Sequence, residues 1–514
     1  MWNLINRSAR LVKLLFGFRH LSRSTDPQQQ LRARQAIAQQ FADARGVTMK
    51  VGQLMAAASD VEDAFAPLIT SIEPLPLAQM IPVIEQSLGC RWKKVFQSID
   101  ESDAAASLGQ VHHAVLKNGS EVAIKLQYPE IDNAIEAEMK LLGMMPKAGP
   151  VKKWNVDLDG YRQALKQNMT RELDYRHEAE TQQFFYQQLE LPAVVVPYVH
   201  TDLSSEKMLV QSWESGDFLQ QAVSWPPKQR EQIARTLLSL LITSLFKTRR
   251  LHADPHMGNS YFRYRDDASG AIEMVLMDYG CSIELEEQQS MALLKLILSL
   301  REKSSGKPIS HFVAMGFDSE KLALIEAYLP RLCLYLFQPF INDEIFLLRN
   351  WHPGKQITEL LGEKRWWFRS AGPAQLIFIM RAFQGLVQQL QLLNVDINWW
   401  QVLEEVLPES LLESARDYPL PVIRGGREVE ISALAETLKV KITRQDGKKT
   451  EVNLPAEAVL ELESFIPDEI KLKLAQAEEI NLPQIVERVR DSGIATQTVF
   501  DYKDENKHFQ VWLE

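Results

Sequence analysis

The spacing of apolar residues changes character near residue 103. Before it, apolar positions recur at helical spacing. Gln28–Arg45 is polar with spaced Leu, Ile and Phe. Thr48–Ser59 carries Lys50-Val-Gly-Gln53 and an alanine run. Glu73-Pro-Leu-Pro76 reads as a linker, and Pro82–Leu88 as a short helix begun by its proline. Residues 1–24, wound as a helix, place Ile5, Ala9, Val12 and Phe16 on one face, and Asn6, Arg10 and Lys13 on another. From 103 to 127 the period shortens. Leu108, Val111, His113 and Val115 lead into the turn Lys117-Asn-Gly-Ser120, and Glu121–Gln127 resumes as a strand. Helices follow at 131–143 and 157–188, and strands at Ala193–Val199 and Lys207–Trp213. From 228 to about 415 the pattern is helical apart from a few loops and Met274–Met277. Past Arg424-Gly-Gly-Arg427 it becomes that of a small α+β unit. This unit has a hairpin around Asp446-Gly447, helices at 455–464 and 482–491, and a second hairpin at 496–513.

Charge and composition narrow the class. The net charge is −10 with no offsetting basic stripe, which argues against nucleic acid as a partner. Cys90, Cys281 and Cys333 are isolated, so neither a disulfide framework nor a cysteine zinc site is expected, and a reducing compartment is. Apolar runs such as Thr236–Phe246 and Leu332–Asn342 end in charge short of the ~20 residues a membrane span needs and read as buried helices. A cytoplasmic protein is the default. The five basic residues of 1–24, with no acidic ones, suit a helix lying on the inner face of an anionic membrane. The same residues also suit a first helix packed on its own protein with its charges solvated. Arg365-Trp-Trp-Phe-Arg369 offers the same choice between a membrane interface and a buried helix.

Three short motifs then fall in an informative order. Val122-Ala-Ile-Lys125 ends a strand. His252-Ala-Asp254 is followed by Asn259, and Asp278-Tyr-Gly280 closes the series. A strand lysine, an Asp with an Asn five residues on, and an Asp-aromatic-Gly make the protein-kinase order. Lys125 would contact phosphates of ATP. Asp254 would orient or deprotonate an acceptor, and Asn259 and Asp278 would hold Mg²⁺ through oxygen. The loop that should cover the phosphates reads Ala104-Ala105-Ala106-Ser107-Leu-Gly109-Gln-Val111, with alanines where two glycines are usual. A Cβ there restricts φ and keeps the backbone farther from the nucleotide. The strand through Gln211 and Trp213 fits the connector between two lobes, where adenine would meet the backbone. His252-x-Asp254-x-His256 also has transition-metal ligand types, without clear further ligands.

Together these residues resemble the UbiB-type (AarF-domain) atypical kinases. The resemblance rests on Lys50-Val-Gly52-Gln53, Ala104–Gln110, Val122–Lys125, Glu172-Leu-Asp174 with Glu178, His252–Asn259 and Asp278–Gly280, and covers roughly residues 30–420. It implies an α+β, kinase-like two-lobe fold with an N-terminal helical extension. The expected divisions are a basic helix at 1–26, the extension at 27–102, the smaller lobe at 103–216, the helical lobe at 217–424 and the α+β unit at 427–514. It further implies that Lys50, Gly52 and Gln53 lie across the cleft, partnered by Glu172 and Asp174, with Glu178 holding Lys125. The roles of Glu172 and Glu178 could be exchanged. The activity implied is ATP-dependent, closer to an ATPase or small-molecule kinase than to protein phosphorylation, and associated with isoprenoid lipids and ubiquinone biosynthesis at membranes. Protein phosphorylation and a nucleotide-regulated scaffold are the alternatives. The unit at 427–514 replaces the membrane spans of many relatives and suggests an unidentified protein partner. Met257 and Tyr279 depart from the usual Pro and Phe while leaving the ligand residues intact.

Overall fold

A computed structural model describes residues 74–102, 104–105, 108–129, 131, 158–266, 269–304, 306–423, 430–466, 481–503 and 507–514. The helices expected over 1–24, 28–45 and 48–59, all of the one expected over 131–143 but its first residue, the Lys50–Gln53 motif, Ala106, Ser107 and the Arg424–Arg427 linker lie outside them.

The first lobe is a curled antiparallel sheet backed by one helix. Helix α1 (Leu77–Leu88) starts directly after Pro76, five residues earlier than expected, and carries Pro82 within it. Strands β1 (Phe96–Ile99), β2 (Ala104–Ala105), β3 (Gly109–Leu116) and β4 (Glu121–Gln127) follow, and β6 (Met208–Ser212) completes the order β1-β3-β4-β6, with β2 paired to β3. The β3–β4 turn is closed by Gly119 at φ +88°, a conformation that costs glycine nothing. Side chains alternate across a strand. Val122, Ile124 and Leu126 therefore face Met80 and Ile84 of α1 in a dry core, and Lys125 is sent to the opposite face. Helices α2 (Leu158–Glu172) and α3 (Tyr175–Gln188) take the place of the single expected stretch. The break falls at Leu173–Asp174, because Asp174 caps α3 by accepting from Arg176 N. Asp174 therefore lies outside the helix that carries Glu178, and the two do not share a helix face.

Strand β5 (Val194–Val195) runs parallel to β9 (Ile272–Leu276), which pairs in turn with β8 (Ser260–Tyr264). The second lobe is helical. Its elements are α4 (Leu219–Ala222), α5 (Pro227–Phe246), α6 (Glu287–Arg301), α7 (Pro308–Ala314), α8 (Ser319–Ala323), α9 (Leu329–Phe337), α10 (Pro353–Leu361), α11 (Arg365–Ala371), α12 (Leu376–Leu393), α13 (Trp399–Val406) and α14 (Glu409–Asp417). A two-stranded ribbon, β7 (Arg250–His252) with β10 (Ser282–Glu284), brackets the motif loops. Helix α12 is long and apolar enough to cross a membrane by length and composition alone, contrary to the sequence reading. Its Gly385 nevertheless packs so tightly that a Cβ would lie 2.1 Å from Pro255 Cβ. In α11, Trp367 and Phe368 pack into the core, Phe368 lying 5.4 Å from the Phe312 ring, and Trp366 is flanked by Arg365 and Arg369.

The last segment has both expected hairpins. Strands β11 (Thr437–Arg444) and β12 (Lys449–Pro455), with β13 (Gln497–Lys503) and β14 (Lys507–Leu513), form one sheet in the order β12-β11-β14-β13. Between the hairpins lie a 3-10 turn at Ala456–Glu461, the short helix α15 (Leu462–Phe465) and α16 (Leu482–Asp491). This sheet is not walled off from the helical lobe. Leu329, Leu332 and Phe312 share one apolar cluster with Val489, Ile494, Val511 and Leu513. Buried Arg331 of α9 donates to Ala435 O (2.6 Å) and Ile494 O (3.2 Å) and pairs with Glu457 (3.1 Å). Gly493 sits against Ala327, where any Cβ would lie 2.0 Å from a carbonyl oxygen.

Two stability effects follow. Arg331→Ala takes the guanidinium from the Ala435 carbonyl and from Glu457 and should cost about 2–4 kcal/mol in urea unfolding. It should do so without splitting the transition, since sheet and lobe share a core. His311 is the second. Burial holds its imidazole proton affinity down to a pKa of about 4. The unfolded chain therefore takes up a proton before the folded one. Stability is complete above about pH 6.5 and falls as pH drops towards 4, by up to about 3 kcal/mol. His311→Gln should flatten that part of the pH–stability curve.

Candidate active site

Strand alternation delivers Lys125 to the cleft, and helix α3 brings Glu178 to meet it. Lys125 Nζ donates to Glu178 Oε1 at 2.6 Å and lies 3.4 Å from Asp278 Oδ1. Glu178, rather than Glu172, is the carboxylate that meets the lysine. Tyr175, the first residue of α3, puts its ring 5.2 Å from the ammonium. Burial works against the charge on Lys125, but Asp278 and Glu178 outweigh it and hold the ammonium well above the ordinary lysine range. Burial pushes the Glu178 carboxyl up, against the pull of Lys125, and Asp278 adds to the rise.

The second wall is the loop between β9 and β10. Asp278 adopts φ +56°, a left-handed conformation uncommon outside glycine that Asp tolerates better than most residues. His252 braces it. Its Nε2–H donates to Asp278 O at 2.7 Å, and its ring meets the edge of Tyr279. The Tyr279 hydroxyl, the feature that distinguishes it from Phe, is satisfied by Leu276 O at 2.8 Å. At Gly280 a Cβ would lie 3.2 Å from Asp278 Oδ1 and 3.6 Å from both Glu172 Cγ and Glu178 Oε2, so three carboxylates gather around this glycine.

Asp254 is buried on the floor of the cleft, bonded at 2.5 Å to Arg381 of α12. Burial disfavours the guanidinium charge, but Asp254 together with Cys281, Glu172 and Asp278 outweighs it and raises the Arg381 pKa. The α12 surface is shaped around the loop. Gly385 admits Pro255, and Gln389 donates to Pro255 O at 2.8 Å. Asn259 donates to Asp254 O at 3.3 Å, and its own carbonyl accepts from Met277 N at 2.8 Å, so the Asp254 and Asp278 loops are tied together. His256 Nδ1 accepts from Gly258 N. His252, Asp254 and His256 are thus each engaged elsewhere, and they do not form the transition-metal site that their spacing allowed.

The other candidate positions lie as follows. Gly109 opposes Gln127 and Val111 opposes Lys125, with Ala104 and Ala105 paired to Val111 and Gln110. Gly109 is required by space. A Cβ would fall 2.0 Å from Leu126 O and 2.8 Å from Tyr175 Oη. Gln127 donates to Leu173 O at 2.5 Å, joining the end of β4 to the Glu172–Asp174 segment. Asp174 itself is bonded to Arg176. Gln211 is in the ladder opposite Ala123. The Trp213 N–H donates to Glu121 O and the Ser212 N–H to Tyr198 O, so these two amides are engaged within the sheet and its flanking segment. Arg381 and Tyr175 were not anticipated. No motif marks either, and Arg381 lies 127 residues from its partner.

The residues present fit Mg²⁺ by their chemistry: Glu172, Glu178, Asp254 and Asp278, set with Lys125 and Arg381, supply oxygen donors of the kind that ion takes. Among the described residues no three acidic, His or Cys side chains form a metal cluster. Mg²⁺ does not require one, since it is usually held by one or two carboxylates together with waters and phosphates.

Residues 67–310 match the ABC1 atypical kinase-like domain. The atypical kinase COQ8B of rat mitochondria is 33% identical over 254 residues, 48% of this chain and 47% of that protein. The mitochondrial atypical kinase COQ8 of Saccharomyces cerevisiae is 25% identical over 319 residues, 60% of this chain and 62% of that protein. The chain therefore spans less than two thirds of these relatives. The Mycobacterium tuberculosis protein Rv3197, solved with erythromycin, aligns at 24% identity over 73% of this chain and 94% of that one, with a TM-score of 0.48.

Removing one partner of the buried Asp254–Arg381 pair strands the other. Arg381→Met should lower stability by about 3–5 kcal/mol, and the double variant Asp254→Leu/Arg381→Met should recover most of the loss. A chemical-denaturation double-mutant cycle measures both.

Proposed function

Since the chain, through residues 67–310, belongs to the ABC1 (UbiB-type) atypical kinase-like family, we propose that it is a Mg²⁺-dependent ATPase or small-molecule kinase. The observation that carries this reading is the position of Lys125, bridging Glu178 and Asp278 on the cleft face of the sheet. Lys125 keeps its positive charge in a buried place and presents it to phosphate oxygens, with Glu178 fixing its direction. Asn259 and Asp278 would hold the metal, beside Glu172. Bound there, Mg²⁺ neutralises phosphate charge and aligns the phosphates for transfer. Asp254, oriented by Arg381, accepts a hydrogen bond from the attacking oxygen and fixes its direction. That oxygen belongs to water or to a small hydroxyl acceptor. Gly109 and Val111, with Ala104 and Ala105, would lie over the phosphates, farther off than a glycine loop would.

Its place in the cell is part of the same proposal. Several relatives are named as mitochondrial or chloroplastic kinases, and the UbiB likeness points to isoprenoid-quinone metabolism at a membrane surface. Phosphate release from ATP, with and without anionic liposomes, tests it. Turnover should require Mg²⁺, rise with liposomes, and fall at least about 100-fold in Asp278→Asn. Lys125→Ala should weaken ATP binding about tenfold or more. Because the Lys125 pKa is raised, the ammonium stays protonated and native affinity should hold between about pH 6 and 9. Full activity in Asp278→Asn would end the proposal.

A further inference from the structure

The rear face of the sheet carries a polar side chain that the nucleotide reading leaves unused. Gln110 is fully buried, on the face of β3 that also carries His112, Ala114 and Leu116 and that packs against α1. A buried amide is retained only when its hydrogen bonds are met. The Gln110 bonds converge on one residue. Oε1 accepts from Leu75 N at 2.7 Å, and Nε2 donates to Leu75 O at 2.8 Å. This is the pair of bonds a neighbouring strand would offer. The second Nε2 hydrogen meets His112 Nε2 at 2.9 Å, while His112 Nδ1–H is turned to Asp100 O at 2.8 Å, so one tautomer satisfies the chain of bonds.

A second attachment lies two residues further along. Glu101 Oε2 accepts from Leu77 N, the first residue of α1, at 2.8 Å. Glu101 precedes β2 and Gln110 follows it. The chain is thus pinned on both sides of the Ala104–Ala105 strand to the single short segment Leu75–Leu77. Ser102 Oγ, donating to Val111 O at 2.7 Å, closes the same unit. Alternation along β3 sends Gln110 to the rear and its neighbours Gly109 and Val111 to the cleft, where Val111 stands opposite Lys125.

We propose that Gln110 is a positioning residue of the nucleotide site, and that with Glu101 it couples nucleotide binding to the segment Leu75–Leu77 through which the N-terminal part of the chain enters the lobe. The inference rests on the ATP reading. Phosphates that settle against the Gly109–Val111 backbone bias the Leu75 bonds behind it. By reciprocity, whatever holds or pulls the chain ahead of Leu75 changes affinity for a nucleoside triphosphate.

The test uses the full chain. Gln110→Met keeps the shape and removes the polar atoms, and Glu101→Ala removes the exposed attachment and leaves the core intact. Hydrogen exchange at residues 74–78 is followed with and without Mg²⁺ and ATP, alongside KM and kcat for ATP. In the native chain, ATP should slow exchange of the Leu75 and Leu77 amides about tenfold. Gln110→Met should abolish that response and raise KM about 5- to 20-fold, with kcat changed less than about twofold. Glu101→Ala should shift both in the same direction by a smaller factor. Exchange at 75–77 indifferent to ATP in the native chain, or native KM in both variants, overturns the inference while the ATP reading stands. A native chain that binds no ATP overturns both.

Discussion

A single ammonium group organises the cleft. Lys125 is held between Glu178 and Asp278, each from a different part of the fold, and a charge in this position is tolerated only while both partners stay in place. Strand β4 must present it, helix α3 must bring Glu178 within 2.6 Å, and the loop after β9 must turn left-handed at Asp278. Each requirement reaches back into packing. Val122, Ile124 and Leu126 fix the face of β4, Asp174 fixes the start of α3, and His252 holds the Asp278 carbonyl.

The floor of the cleft is built on a different principle. Asp254 could not remain ionised so deep in the lobe without compensation, and Arg381 supplies it from α12. That helix is apolar enough to resemble a membrane span, and its one guanidinium ties it to the Asp254 loop. Gly385 and Gln389 complete the fit against Pro255. The C-terminal sheet is joined to the same lobe further out, through Arg331 and a shared apolar cluster. It packs as part of the fold.

What the sequence revealed was whatever depends on local geometry. Alternation over Glu121–Gln127 gave the face of Lys125, and the turn at Asp446-Gly447 gave a hairpin because Gly447 supplies φ +79°. The spacing from Asp254 to Asn259 survives because both lie on one short loop. What stayed hidden depends on contacts between distant segments. Arg381 is one basic residue in an apolar run and becomes a site residue only because α12 passes under Asp254. The shared core of Leu332 and Leu513 leaves no periodic trace. Pro82 read as a helix start, yet α1 begins at Leu77 and carries the proline within it. Asp174 fell inside the single helical stretch read over 157–188, but it serves as the cap that starts the second helix.

Calorimetric titration of Mg²⁺ and ATP into the native chain and into Lys125→Met addresses the central claim most directly. The arrangement of Lys125, Glu178 and Asp278 predicts one nucleotide bound per chain, dependent on the metal, and at least about tenfold weaker binding once the ammonium is gone. Equal affinity in the two proteins, or no binding to the native chain, would contradict the claim that this buried charge exists to receive phosphate.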